Sequence, residues 1–367
     1  MRRLAVCLTL FVFLFTLLPS QAPAGEPLTP ELTLEMAVER ALKTDSSLKK
    51  AKKDLERSVE VKDYLADRID FIPTGPVPSS NAESVFLNLT QAEISRNMAR
   101  RNYTAREDAV VLSVHQAYYE ILRYLEKVRV AGLTLENRQW LKQVAYAGQR
   151  AGTVDALGVI QAETSWANAK TELESAQKFL DDAYQKFNQI IGLSAKDRPV
   201  LVDSPELSPL EVSDLDVEVN AIVTSSPTVW SAEQAVELAR LSRRLYDFTN
   251  PNVGEPYEVK EIDLKKAEIT AGDVKEQMAK QLRTMYYTAK QLEEQYAGIV
   301  ESIRLAEENL RVAKVRFDVG IATKTDVLNA ELALEQARQG LLEIGSQHEI
   351  LKMAFKKPWA YGSSGYN

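Results

Sequence analysis

The chain has little of what enzymes and metal proteins are built from. Its only cysteine is Cys7, and its only histidines are His115 and His348. Cys7 sits in an apolar run at the N-terminus, so the rest of the chain can form no disulfide and no thiolate metal site. The histidines lie far apart, without the short spacing of a metal-binding pair, and read as structural residues. No nucleophile elbow, phosphate loop or convergent carboxylate pair stands out. The sequence therefore offers no catalytic residue, no metal site and no cofactor site. The formal net charge is −7. An acidic chain lacks the basic face that phosphate binding needs, which argues against a nucleic-acid partner. After residue 24 no run reaches the ~18 apolar residues of a transmembrane helix.

What is present begins with an export segment. Arg2 and Arg3 precede an apolar run from Leu4 to Leu18, and Ala22-Pro23-Ala24 forms an A-x-A cleavage site. Residues 1–24 read as a signal peptide, with an uncleaved membrane anchor as the alternative. Residues 1–24 hold two arginines and no acid, so their removal moves the net charge from −7 to −9.

The remainder repeats itself. Tyr118-Tyr119 recurs as Tyr286-Tyr287, and at the same offset Val144-Ala145, Gly152, Val159, Ala162-Glu163 and Ala169 match Val312-Ala313, Gly320, Val327, Ala330-Glu331 and Ala337. An earlier segment repeats at a slightly larger offset, with Ala41, Thr44 and Ser46 matching Ala221, Thr224 and Ser226. The difference is absorbed in two unequal connectors, the proline-rich Ile69–Ser84 and the shorter Phe248–Glu258. Such a duplication dictates the architecture. Residues 25–191 read as a first helical repeat, 192–215 as a linker with a short strand at Val200–Val202, 216–357 as a second repeat and 358–367 as a tail.

Each repeat carries sustained 3,4 spacing of apolar residues. The second has Val327, Ala330, Leu334, Ala337, Leu341, Ile344, His348, Leu351 and Phe355, preceded by Ile299, Ile303, Ala306, Leu310, Ala313 and Phe317. The first has Val159, Ala162, Trp166, Ala169, Leu173, Ala176, Leu180, Ala183, Phe187 and Ile190. This is coiled-coil packing, and small seam residues let the helices approach closely. A second stripe, Leu133, Asn137, Trp140, Val144 and Ala147, predicts a helix with neighbours on two sides, as in a curved single-layer wall. From Ala82 to Arg150 there is no proline. A helix of that length spans on the order of 100 Å at ~1.5 Å per residue.

These features together resemble the TolC-type outer-membrane efflux proteins. The resemblance rests on Arg316–Glu331 (R-F-x-x-G-x-x-x-x-x-D-V-L-x-A-E), on its weaker copy Arg150–Asp155, and on two N-terminal motifs, LTLEMAVERALKTDSSLKKA and DVEVNAIVTSSPTVWSA. VFLNLTQAEI (Val85–Ile94) resembles the strand that leads into the family's long helix. The resemblance implies an all-α-dominated fold of long antiparallel coiled-coil helices forming an α-barrel-like tube. Strand-like alternation is brief at the first connector, and YEVKEIDL (Tyr257–Leu264) is acidic, so the connectors read as short or reduced β-hairpins. It also implies a homotrimeric, non-enzymatic exit duct in the outer membrane or periplasm, docked at its tip by a periplasmic adaptor and an inner-membrane pump. Its site residues would be the tip turns Gly152, Thr153, Gly320, Ile321 and Thr323. Asp326 and Asn329 would lie at the constriction, and Arg316, Lys324 and Asp155 would be tip charges. The residues also admit plainer readings. The glycines can be helix C-caps, Asp326 a helix-dipole acid and the tip charges ordinary surface. The alternative function is a non-conducting envelope scaffold of coiled coil.

Overall fold

A computed structural model describes residues 31–68, 80–246 and 255–363. The expected signal peptide falls outside the described residues, as do the proline-rich centre of the first connector and most of the second.

The described chain is almost entirely helical. A two-residue strand β1 (Glu31–Leu32) leads into α1 (Leu34–Thr44) and α2 (Ser46–Ala66). The long α3 (Ser80–Arg150) and α4 (Ala156–Ile191) form the first hairpin. After β2 (Val200–Leu201) come α5 (Leu215–Ser225) and α6 (Pro227–Arg244), then the second hairpin, α7 (Tyr257–Asp318) and α8 (Lys324–Lys356), and a short α9 (Pro358–Ser363). The α1–α4 and α5–α8 series repeat each other element for element, as the internal duplication requires. β2 lies where the linker strand is expected and pairs in parallel with β1.

Local chemistry sets the boundaries. Thr33 caps α1, its hydroxyl accepting from the Met36 N–H, and Asp45 caps α2 at the Leu48 N–H. Gly192 ends α4 in the left-handed conformation, with φ 68°. Pro227 opens α6 at a position where the missing N–H costs nothing.

The four long helices lie side by side in the order α4–α3–α8–α7, so α4 and α7 form the outer edges of one layer. The predicted seams lie along the hairpin contacts, buried or half-buried throughout except at Phe317, which is exposed because α7 ends at the turn one residue later. Along α4, Val159, Ala169, Ala176, Ala183 and Phe187 are buried, while most residues between them are exposed. The duplication extends into the packing. The Tyr118 ring meets Phe187 edge-on at 6.0 Å, and its counterpart Tyr286 meets Phe355 at 6.2 Å. Each pair anchors an apolar core of its own, the first joined by Ala37 and Ala41 of α1, the second by Val219 and Ile222 of α5. The Tyr118 hydroxyl also donates to the Leu32 carbonyl at 3.1 Å and accepts from the Asp203 N–H at 3.0 Å, tying the strand pair to α3.

The connectors differ from the expectation. Val85–Ile94 is helix, not strand: it is the start of α3, and Tyr257–Leu264 is likewise the first two turns of α7. The apolar residues Val85, Leu89 and Ala92 also fit a helical 4,3 spacing, and no glycine or proline separates them from the body of the helix. Ala92 and Leu264 are buried among helices, and the Thr90 hydroxyl donates to the Phe86 carbonyl one turn back. No β-hairpin occurs among the described residues; the one sheet is the parallel β1–β2 pair.

Candidate functional site

The sequence-predicted site residues gather at one end of the layer, where α3 turns into α4 and α7 into α8. The two turns share one backbone. Gly152 has φ 73° and Gly320 φ 78°, the left-handed region in which a β-carbon is penalised. Thr153 N–H donates to Gly148 O at 2.8 Å, and the equivalent Ile321 N–H donates to Arg316 O at 2.9 Å. These 6→1 bonds, with the glycine N–H bonds to Gln149 O and Phe317 O, satisfy the carbonyls left open at each helix end.

The following helix is capped at the same repeat position by different residues. Asp155 caps α4, its carboxylate accepting from the Gly158 N–H at 2.8 Å. Thr323 caps α8 in a reciprocal box. The Asp326 carboxylate accepts from the Thr323 N–H at 2.7 Å and its hydroxyl at 2.8 Å, while the Asp326 N–H donates to the Thr323 hydroxyl at 3.3 Å. The Thr323 N–H first, then its hydroxyl, holds the Asp326 carboxyl below its ordinary value. Asp326 is thus engaged within its own turn.

Side chains distinguish the turns. Gly148 and Val154 of the first correspond to Arg316 and Ala322 of the second. A β-carbon on Gly148 would lie 2.6 Å from the Val154 Cγ2, so Val154 requires the glycine beneath it. In the second turn the small residue is Ala322 and the large one Arg316. Phe317, Val319 and Ile321 are large and exposed, Ile321 at 75 %, whereas Gln149, Ala151 and Thr153 stand at their places in the first turn. Lys324 Nζ lies 4.7 Å over the Trp140 ring. Among the described residues Arg316, Lys324 and Asp155 form no ion pair within the chain.

Asn329 is not an isolated wall residue. Its side-chain oxygen accepts from Asn137 Nδ2 at 2.7 Å across the α3–α8 contact, and Asn137 is buried. This is the first rung of a polar ladder joining the hairpins. Next comes Glu335, buried and paired with Arg129 and Arg338, then Arg123–Glu343 at 2.6 Å, and finally Asp108 with Lys357 and the Trp359 Nε1. The partners keep one antiparallel register, so α3 and α8 are joined by ions and amides along their contact, beside an apolar cluster of Ala109 and Leu112 with Ile350 and Met353. Sequence reading missed this ladder, and the one available signal was the charged Glu335 beside seam residue Leu334.

The histidines, far apart in sequence, lie on the facing helices α3 and α8, both within the electrostatic reach of Glu349. His348 is fully buried, with Nε2 3.3 Å from Glu293 and Nδ1 3.7 Å from Glu349. Burial alone would raise both carboxyls, but the Leu210 N–H, Lys290 and His348 hold Glu293 low, and His348 and Lys352 hold Glu349 low. Burial lowers His115 on α3, against the pull of Glu349. Among the described residues no group of three or more histidine, cysteine or carboxylate side chains is placed to hold a metal. No helix among them is long and apolar enough to cross a membrane.

The profile of one family, outer membrane efflux protein, matches residues 24–193 and 248–350. No curated protein matches the chain in sequence. Several solved structures share the fold. The Campylobacter jejuni CmeC outer membrane channel superposes with a TM-score of 0.66 at 11 % identity, over 91 % of this chain and 87 % of that one. A membrane protein from Pseudomonas aeruginosa gives 0.62 at 16 %, over 92 % and 99 %. The outer membrane protein VceC from Vibrio cholerae gives 0.60 at 16 %, over 90 % and 96 %.

Proposed function

The chain belongs to the outer membrane efflux protein family, and on that premise we propose that it is the passive exit duct of a tripartite export system, assembled as a homotrimer. The observation that carries this is the single layer α4–α3–α8–α7, whose outer members α4 and α7 have no further long helix beside them. Leu157 and Ile160 on α4, and Val315 and Leu305 on α7, are large, apolar and exposed in the single chain. A layer curved by coiled-coil packing buries both edges when α4 of one protomer meets α7 of the next, and three copies make twelve helices around a water-filled lumen. The chain does no chemistry; it confines diffusion.

The tip turns are then six loops around one opening. Val319 and Ile321 give a periplasmic adaptor an apolar surface to grip, with Gly152, Thr153, Gly320 and Thr323 shaping the turns. Asp326 and Asn329, from three protomers, line the constriction and favour cations there. Arg316, Lys324 and Asp155 are the charges that neighbouring turns can pair across the opening. An inner-membrane pump supplies the energy.

The test uses the chain's lack of cysteine beyond Cys7. The double variant Ile160→Cys, Val315→Cys should form disulfides between protomers on oxidation, yielding dimers and trimers but no larger species, and the exported protein should have a trimer's mass in solution. A monomer, or a dimer without cross-links, would overturn the duct and leave the scaffold.

A further inference from the structure

The end opposite the tip is built differently from a membrane barrel. We infer that this chain does not span a lipid bilayer there, and that its duct ends in a collar of helices; this rests on the duct reading above. The collar is α2, α3, α6 and α7. α2 packs against α3, α6 against α7, and α3 also against α6. A groove between α3, α6 and α7 is lined by Leu87, Gln91, Leu238, Ser242, Lys260 and Asp263. Leu87, with Ala92 and Leu264, thus faces helices of its own chain where a barrel would show apolar residues to lipid.

Length decides the matter. α2 runs toward this end and α3 leaves it, so a connector between them must cross a membrane twice or not at all. The same holds for α6 and α7. Between the described segments lie residues 69–79, eleven in number, and residues 247–254, eight in number. A membrane-spanning strand needs ~9–11 residues, and a hairpin of two strands with its turn about 20 or more. At ~3.3 Å per residue eleven residues give roughly 36 Å of contour, and eight give roughly 26 Å. Going out and back halves these, to roughly 18 Å and 13 Å, against an apolar band about 25 Å tall. The residues that could have lengthened the strands, Val85–Ile94 and Tyr257–Leu264, are committed to helix, and the second of these carries Glu258, Glu261 and Asp263. Lipid-facing carboxylates are themselves costly.

Two measurements on the full chain test this. Membranes from expressing cells are washed with alkaline carbonate, and the released protein is sized without detergent. The chain is expected in the supernatant; retention in the pellet with solubility only in detergent would overturn the inference. An uncleaved leader could also hold it in the pellet, so a second readout is independent of anchoring. The variant Thr74→Cys, in the first connector, is treated with a membrane-impermeant maleimide. Labelling is expected only after the outer membrane is permeabilised, whereas labelling of intact cells means that the connector reaches the outside and a barrel exists. Ring assembly, read by the α4–α7 cross-link, is scored separately: a barrel with intact cross-links refutes the collar and spares the duct, whereas lost cross-links refute the duct and the collar as its end, and leave only the absence of a membrane span to the carbonate and labelling results.

Discussion

The two tip turns have one backbone and two surfaces. Both reverse the chain through a left-handed glycine, close it with the same 6→1 bond and restart the helix from a cap at the same repeat position. Yet the second presents Phe317, Val319 and Ile321 outward where the first presents Gln149, Ala151 and Thr153. Duplication has preserved what the main chain needs and released what the surface does. In the proposed duct this difference would divide the labour, with both turns narrowing the opening and the second carrying the grip.

The largest expected effect breaks that division. Ile321→Asp should reduce adaptor capture by more than tenfold, since a charge buried in an apolar contact costs several kcal/mol, while Thr153→Asp should leave capture within a few-fold. Pull-down of the adaptor with each variant, with cross-linked trimer as the folding control, measures it; equal losses would erase the distinction. Next comes the shared backbone. Gly152→Ala and Gly320→Ala should each destabilise their turn by about 1–2 kcal/mol, because no atom crowds either position and the penalty is conformational alone. Hydrogen exchange at the neighbouring amides reads this, and unlike costs would show that the turns differ in strain. Gly148→Ala, by contrast, must displace Val154, whereas Arg316 already occupies the equivalent place.

The caps come third. Thr323→Ala removes a cap and should cost ~1 kcal/mol, close to Asp155→Ala in the other copy. Amide exchange across the first turns of α8 and α4 compares them. The smallest effect is one of pH. Asp326 has its carboxyl lowered in the folded turn, so its contribution is present above the unfolded value near ~3.9 and is lost as pH falls through the lower folded value. Gly158 occupies that position in the first copy, so α4 should lack this response. Protection at the start of α8, taken as exchange relative to the intrinsic amide rate at each pH, should fall from pH 5 to pH 2; Asp326→Asn should remove the dependence.

Much of the site was legible from residues because its determinants are local. A glycine at a helix end, followed three residues later by a capping residue, specifies a turn whatever surrounds it, so Gly152 and Gly320 could be found in sequence. Seams are also local, since a 3,4 apolar spacing marks one helix face without reference to the partner. The ladder was not legible. Asn137 meets Asn329 and Arg129 meets Glu335 across the contact between two hairpins, and no periodicity in either helix gives their relative register. That His115 and His348 both come within reach of Glu349 was hidden for the same reason. Val85–Ile94 misled because brief alternation and a helical 4,3 spacing coincide over ten residues, and packing against α6 decided between them.

The sequence by itself thus determined the duplication, the helix seams and the two turns, each a property of contiguous residues with a fixed period or cap. Only the tertiary structure decided the order α4–α3–α8–α7, the polar join between hairpins and the helical collar at the connector end. Those depend on which faces meet, and the free energy of a contact belongs to both surfaces, so one strand of residues read alone cannot supply it.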